Sequence, residues 1–420
     1  MRALLRKELW TRELVAWYLY DFANSFVYIN ATLYFSQWVV VDQGFTDFWF
    51  SLPFILATVI LILTSSYVGS FGDRTGRHFH IFFGASMLAI VSMLFMFLAG
   101  RFLPSGIQVI VALIFFGLYQ LGYLLAFVPY NAFIKHITVS ERYGTVSGIG
   151  LGWSQLGNIC GLLVTLPIIH KTVVLFGTDR LAPLVPALVA FALFSIPSFI
   201  IFRKKVFIQQ STLQLSVPWW RSFWAHLRES RNRSGVFPFL LAYYLFSDAI
   251  LTLSLYSAIY LERVFHAPDE TKVVMSLLTL GGFGIGAFIL GAIADARGHR
   301  RVLVISLAVN AFSILGIAFA SDFRTLYPLF VLFGISIGGV YASSRGYLAS
   351  LISTEESGKY FGLYTFAERF ASVIGPAVWG IVIILFGAIA PTNYRIAAAV
   401  MGVIALFGII PLLQRRTKTV

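Results

Sequence analysis

Gly69-Ser-Phe-Gly-Asp73-Arg74-Thr-Gly76-Arg77 follows one long apolar segment, and Gly291-Ala-Ile-Ala-Asp295-Ala-Arg297-Gly298-His-Arg300 follows another. The glycines and the aspartate recur at one spacing, since residues 69 and 291, 73 and 295, and 76 and 298 each lie 222 apart. A second echo supports the first. Segments 130–148 and 344–362 have equal length and place Glu141 over Glu355 and Gly148 over Gly362, a spacing of 214. The chain therefore reads as two similar halves in parallel order, each with a short polar motif between apolar stretches.

Composition sets the solvent. Of 420 residues 58% are hydrophobic and 12% charged, with a mean hydropathy of +0.83. Soluble domains run near a quarter charged, so a soluble fold is excluded. An aromatic share of 16% excludes a disordered chain. The one cysteine, Cys160, rules out a disulfide framework, a Cys-ligated zinc site and a CxxC redox motif. The net charge of +13 is spread over short loops without a long basic tract, so no nucleic-acid partner is expected. The apolar stretch after the basic residues Arg2, Arg6 and Lys7 is too long for a signal-peptide core, contains Asp21, and is followed by no small-residue cleavage site. It reads as a retained first span.

A spanning helix needs about 20 apolar residues. Twelve such segments can be marked, at 15–41, 48–68, 81–100, 107–130, 146–169, 182–202, 237–261, 272–294, 302–320, 326–350, 360–386 and 394–413. The even number puts both termini on one side. That side collects 22 Lys and Arg, the other side seven (Arg101, Lys171, Arg180, Arg263, Lys272, Arg324 and Arg395), while Arg345 and Arg369 fall inside spans. The asymmetry predicts cytoplasmic termini. Seven of the 22 belong to the linker, 203–236, which separates an N-terminal bundle (1–202) from a C-terminal one (237–420). Within it Trp220, Phe223, Trp224 and Leu227 share one helical stripe, with Arg221, Arg228 and Arg231 largely off it. This predicts an amphipathic helix over 218–231, lying on the membrane or on the underside of the protein. Parallel six-span halves are a transporter architecture.

The pattern Gly69–Arg77 with its weaker copy at Gly291–Arg300 resembles the signature loop of the major facilitator superfamily. The resemblance implies an all-α membrane protein of twelve transmembrane helices in two six-helix bundles that rock about a central cavity. A narrower stretch, Trp17-Tyr18-Leu19-Tyr20-Asp21-Phe22-Ala23-Asn24-Ser25, resembles the opening of the vacuole effluxer-like, autophagy-related family and its bacterial relatives. Tyr130-Asn131-Ala132, the run Glu141–Gly148, Gly338-Gly339-Val340 with Ser344-Arg345, and Phe361-Gly362-Leu363-Tyr364 are similar to further passages of that family. The chain departs from it at Lys135-His136, at Ser247-Asp248-Ala249 and at Tyr341. Fungal vacuolar members imply amino-acid efflux.

Ionisable residues inside spans are costly unless paired and so mark function. Five qualify: Asp21, Asp248, Arg345, Glu368 and Arg369. At about 1.5 Å per residue, Asp21 lies roughly 9 Å into its span and Asp248 roughly 17 Å. In the facilitator fold the spans carrying Asp21 and Asp248 line the cavity at matching positions. Either carboxyl could bind substrate or a proton, or serve a buried hydrogen bond such as Asp21 to Asn24 or Tyr20. Arg345 and Glu368 flank the loop between spans 10 and 11 at equal distance, which predicts a structural salt bridge. Arg369, left over, would suit an anionic group. At the spacing of 214, Asn131 stands opposite Arg345, and Ser154 and Gln155 opposite Glu368 and Arg369, so the C half is charged where the N half is neutral. Tyr119, Gln120, Tyr123, Trp153 and Asn158 are further lining candidates. The GxxxG pairs Gly148/Gly152, Gly157/Gly161, Gly282/Gly286 and Gly334/Gly338 predict close helix contacts.

For the signature segments (Gly69, Asp73, Arg74, Gly76 and Arg77; Asp295 and Gly298) the resemblance implies gating. Asp73 would cap the start of span 11 near Tyr360–Gly362, and Asp295 the start of span 5 near Thr145–Ser147, contacts that break when the cytoplasmic side opens. No ATP motif, zinc motif or catalytic triad is present, so neither an enzyme, a cofactor nor a bound metal is expected. The expected activity is secondary transport of a small polar or zwitterionic solute, efflux favoured, with protons as a candidate partner and membrane lipids around a monomer. A lipid or hydrophobic-compound exporter on the same fold is the alternative, and a non-transporting receptor or scaffold a remote one. The expected location is the bacterial inner membrane, or an organelle membrane in a eukaryote.

Overall fold

The computed structural model describes residues 7–139, 143–174, 177, 179–203, 219–232, 235–352, 357–389 and 391–413. Among them no strand occurs and the ordered elements are helices: α1 (Arg12–Asn30), α2 (Asp47–Thr75), α3 (His78–Phe102), α4 (Gln108–Ile137), α5 (Tyr143–Ile169), α6 (Leu184–Arg203), α7 (Trp219–Asn232), α8 (Val236–Phe265), α9 (Asp269–Arg297), α10 (His299–Phe319), α11 (Phe323–Ala349), α12 (Ser357–Leu385), α13 (Thr392–Phe407) and the short α14 (Ile410–Leu413). Eleven helices are long and apolar enough to cross a membrane. The twelfth span is α1, which continues without a break into π-helical turns at Ala31–Phe35 and Trp38–Asp42. The wider turns loosen the backbone ladder there. Side chains lean back to satisfy it: the Thr32 hydroxyl donates to the Tyr28 carbonyl at 2.8 Å, and the Gln37 amide to Leu33 at 2.7 Å.

The chain divides into two compact units, Met1–Leu213 and Gln214–Val420. In the first, α1 packs on α5 and α6, α3 on α4 and α6, and α2 on α4. In the second, α8 packs on α12 and α13, α10 on α11 and α13, and α9 on α11. One packing plan is thus used twice.

One sequence expectation changes. The signature motifs are not loops after spans 2 and 8: Gly69–Thr75 forms the last turns of α2 and Gly291–Arg297 those of α9, each ended by a glycine at positive φ (Gly76 at 65°, Gly298 at 97°). A C-terminal glycine in that region closes a helix at no steric cost. The amphipathic segment forms α7 as expected, but Pro218 and the side chains of Trp220, Arg221 and Phe223 lie outside the described residues.

The predicted small-residue contacts are close. β-Carbons at Gly157 and Gly161 in α5 would run into the Phe22 and Phe26 carbonyls of α1, and those at Gly286 and Gly338 into the backbones of α11 and α9. In lipid, where helices gain little from apolar burial alone, such backbone approach is a main source of association. Gly152 meets nothing within 4 Å, so that GxxxG position is not a helix contact within its unit.

Candidate functional site

In the first unit the polar residues gather where α1 faces α4 and α5. Trp17 and Tyr130 stack with centroids 4.6 Å apart and exchange hydrogen bonds: the indole N–H donates to the Tyr130 carbonyl at 3.0 Å, and the Tyr130 hydroxyl to the Trp17 carbonyl at 3.1 Å. The Tyr130 hydroxyl also adjoins the Asp21 carboxyl, which lies 3.5 Å from where a β-carbon of Gly150 would stand. The expected local partners of Asp21 are not used. Tyr20 instead bonds Ser86 of α3 at 2.8 Å. Asn24 is fully buried, and neither its amide nitrogen nor its oxygen has a hydrogen-bond partner among the described residues. Further along, Tyr28 stacks on Tyr123 at 5.1 Å, beside Tyr119 and Gln120, which are buried with their polar atoms unpartnered among the described residues. Trp153 packs edge-on against Phe22, and Asn158 bonds Gln155 at 3.3 Å.

In the second unit α8, α11 and α12 build the counterpart. The Tyr243 hydroxyl donates to the Glu368 carboxylate at 3.1 Å, and its ring stacks on Tyr364 at 3.8 Å. Tyr364 in turn bonds Ser344 at 3.0 Å. Tyr341 lies within the fields of Glu368, Arg345 and Arg369 together. The expected Arg345–Glu368 salt bridge is not formed: among the described residues no cation is within ion-pair distance of Glu368, and Arg345 is exposed. Equal depth on two helices does not fix azimuth. Ser344 faces α12, and its neighbour Arg345 is turned about 100° away.

Asp248 lies one turn past this cluster and is 2% exposed. Its carbonyl oxygen, its Oδ1 and the Thr252 hydroxyl all crowd Gly375 of α12. Among the described residues Asp248 Oδ1, Ser247 Oγ, Thr252 Oγ1 and Trp379 Nε1 have no hydrogen-bond partner. Tyr256 and Trp379 close the outer end in a stack at 4.8 Å. The repeat fixes the relation to the first unit. Gly375 corresponds to Gly161 at the spacing of 214, and Asp248 and Thr252 to Phe26 and Asn30 at 222. The contacts agree, since Gly161 faces the Phe26 carbonyl and the Asn30 amide. Asp21 corresponds to Tyr243, not to Asp248. The two aspartates thus occupy matching helices at levels five residues, about 7.5 Å, apart.

Sequence reasoning missed Tyr130, Tyr243, Tyr341, Tyr364, Thr252 and Trp379. Uncharged residues give no intramembrane charge signal, although carrying the spacing of 222 from Asp21 reaches Tyr243. Of the gating residues, the side chains of Asp73 and Arg74 lie outside the description, as does Gly69 beyond its backbone. Asp295 is exposed, with His299 of its own unit at 3.6 Å. Among the described residues no group of three or more His, Cys, Asp or Glu is arranged to hold a metal.

Comparison with known proteins bears on the fold. The profile of the Major Facilitator Superfamily matches residues 236–419. Along 415 residues the chain is 23% identical to the uncharacterized MFS-type transporter YxiO of Bacillus subtilis, covering 94% of this chain and 92% of that one. The fold superposes on the nucleoside transporter NupG with a TM-score of 0.76 at 11% identity, over 96% of this chain and all of that one. The Major Facilitator Superfamily profile thus falls on the second unit, and the chain as a whole resembles a transporter of that type. It shares the multi-pass helical architecture of those transporters. The chain also resembles autophagy-related protein 22 of Candida glabrata, at 25% identity over 187 residues, 42% of this chain and 34% of that protein. A bacterial homologue of the human lysosomal transporter Spinster shares the fold with a TM-score of 0.69 at 13% identity, over 96% of each chain.

Proposed function

We propose that the protein is a secondary transporter that moves a small polar or zwitterionic solute, outward, by alternating access, and that a proton bound at Asp248 drives it. The observation that carries the reading is Asp248 itself. Its carboxyl is buried within a span, Oδ1 has no donor, and no described cation pairs with it. An ionised carboxylate there has no described counter-ion, whereas a neutral carboxyl avoids most of that cost. Glu368, with Tyr243 as donor and Arg345 and Arg369 nearby, supports recognition of the ionic end of the solute. Within the first unit, the buried polar groups of Asn24, Tyr130 and Gln120, with Asp21, support a polar solute in their own right. The polar lining of both units favours this solute over a lipid or wholly apolar cargo.

The test is transport by purified protein in proteoliposomes. Asp248→Asn is expected to abolish accumulation driven by a pH gradient while exchange of labelled solute down its own gradient continues. An Asn variant that still concentrates solute under a pH gradient alone removes Asp248 from coupling, and a wild type indifferent to pH removes proton coupling altogether.

We place both termini, and α7 with the linker 203–236, on the cytoplasmic side. The 22 to 7 distribution of Lys and Arg supports this, and so does the way several outer cations are consumed locally: Arg101 on Asp179 at 2.8 Å, Arg180 on Asp42 at 2.6 Å, Lys272 on Glu262 and Asp269, and Arg395 on the Ala318 carbonyl at 3.1 Å. Thiols introduced over 42–47 should react with an external reagent and those over 203–236 should not. The membrane is a bacterial inner membrane or its organelle equivalent, and the working unit a monomer. Asp73, Arg74 and Arg77, with Asp295, act as the gate. Asp73→Asn is expected to slow exchange without weakening solute binding, and a variant with normal turnover but altered affinity contradicts that role.

A further inference from the structure

Within the second unit α7 packs on α8 and α12 without closing fully onto them. Between it and the first turns of α8 and α12 runs a groove of about 320 Å³ lined by Trp224, Leu227, Phe237, Leu240, Tyr244 and Phe370, with Leu241, Leu363, Phe366 and Ala367 completing the wall. The lining is almost wholly apolar, and Trp224 is 64% exposed on its rim. Two cations stand beside it. Arg231 does not lie off the apolar stripe as expected: it stands seven residues after Trp224 and four after Leu227, on the same face, and its guanidinium carbon lies 5.2 Å over the ring of Phe237, a wall residue. Arg228 is four residues from Trp224 and exposed. Neither pairs with a carboxylate among the described residues.

A second groove shows what the cations add. Between α2 and α4 lies a groove of the same size, about 320 Å³, lined by Trp49, Leu52, Pro53, Ile60, Ile110 and Leu121 among others. Neither segment 44–61 nor segment 103–121 contains a Lys or Arg. Both grooves suit hydrocarbon; only the one at α7 offers a cationic mouth. An acyl chain in the slot with an anionic headgroup at Arg228 and Arg231 satisfies both halves of that arrangement, as amphipathic basic helices do at charged membrane surfaces.

We propose that the groove between α7, α8 and α12 is a site for one anionic phospholipid, its acyl chain between Trp224 and Phe370 and its phosphate at Arg228 and Arg231. The site backs onto the transport machinery. Phe366, Ala367 and Phe370 of its wall alternate on α12 with Glu368 and Arg369, and Tyr244 adjoins Tyr243. A bound lipid thereby steadies the helices that hold the candidate solute site, so the lipid composition of that leaflet sets transport rate.

Trp224 supplies the test. The protein is reconstituted in phosphatidylcholine vesicles doped with phosphatidylglycerol or phosphatidylcholine carrying the same brominated acyl chains, which quench tryptophan on contact. The signal of Trp224 is the difference between wild type and Trp224→Phe. Each arginine near the surface contributes about a fivefold preference for an anionic lipid. Phosphatidylglycerol should therefore quench Trp224 at a several-fold lower mole fraction than phosphatidylcholine. Arg228→Ala with Arg231→Ala should erase the difference, and the double Lys variant should keep most of it. Ala367→Trp, which fills the slot, should reduce quenching by either lipid. Equal quenching by the two lipids in wild type means annular lipid only and overturns the proposal, as does a preference that survives the double Ala variant. Loss of fold in the Ala variant leaves the wild-type comparison and the Lys variant to decide.

Discussion

The seam between α2 and α4 and the seam between α9 and α11 occupy the same place in the repeat and are built in opposite ways. The glycines of the second seam, Gly282, Gly286, Gly334 and Gly338, correspond to Ile60, Thr64, Gln120 and Leu124 in the first. Where glycines meet, backbones touch: a β-carbon at Gly286 would strike the Ile335 carbonyl, and one at Gly334 the Thr279 carbonyl. Where side chains stand instead, Ala57, Leu61 and Leu124 hold the helices apart, a groove of about 320 Å³ opens between them, and Gln120 is left buried without a partner among the described residues. One packing plan thus yields a tight seam with no slack and a looser one with room to shift. The tight seam should be the more brittle. Gly286→Leu is expected to cost well over the 1–3 kcal/mol of ordinary overpacking, because the obstacle is backbone, and to reduce folded protein to a small fraction of wild type. Thr64→Leu, at the matching position, should leave Tm within a few degrees. Size-exclusion profiles and thermal unfolding of the two variants decide it; a monodisperse Gly286→Leu protein with wild-type Tm breaks the distinction.

The pairing of α1 with α5 and of α8 with α12 divides along a different line, charge. Ser25 bonds Ser154 at 2.6 Å in the first unit; in the second, Glu368 stands where Ser154 does and takes its bond from Tyr243. A hydrogen bond to a charged group contributes about 1.5–3 kcal/mol and a neutral one about 1 kcal/mol. If Glu368 reads the solute, Glu368→Gln should weaken binding by roughly tenfold or more with little change in Tm. Ser154→Ala should do the reverse, lowering Tm slightly and leaving affinity within about twofold. Equal affinity losses in the two variants would show that both contacts are scaffolding.

The fold was legible because hydropathy reports the solvent, and twelve apolar runs in a duplicated order admit few arrangements. The helices depart from the marked spans mainly at polar ends, where hydropathy fades while backbone hydrogen bonding continues; α2 therefore runs on through Asp73 and Arg74 to Thr75. The site was legible only as far as charge marks it. Asp21, Asp248 and Glu368 stood out, but their partners did not, because Tyr130 and Tyr243 look like any other aromatic in a chain with 19 tyrosines. The repeat carries more than the charges do: it pairs Asp21 with Tyr243 and Asp248 with Phe26, correspondences that depth along a helix alone does not give.

The smallest contrast is at the N-termini of α4 and α11, the partners of α2 and α9 in the two seams. α11 begins with Asp322, whose carboxylate accepts from the Thr325 backbone N–H at 3.0 Å and from its hydroxyl at 2.9 Å. α4 begins at Ile107 with no side-chain cap and helical backbone angles, φ −94° and ψ −34°. The two bonds from Thr325 hold the Asp322 carboxyl below its ordinary value. Its folded state therefore binds a proton less readily than its unfolded state. The stabilisation is present above the unfolded pKa of about 3.9 and fades as pH falls through the lower folded value. Asp322→Ala should lower Tm slightly at pH 7, by an amount that shrinks as the buffer is taken below about pH 4. Asp322→Asn, which keeps an N-cap acceptor without the charge, should recover part of the loss and show none of that pH dependence. Ile107→Asp should gain nothing, because a cap residue needs extended backbone and Ile107 is already in the helix. A Tm deficit in Asp322→Ala that stays constant down to pH 3.5 would assign the effect to packing at the turn instead of the carboxylate.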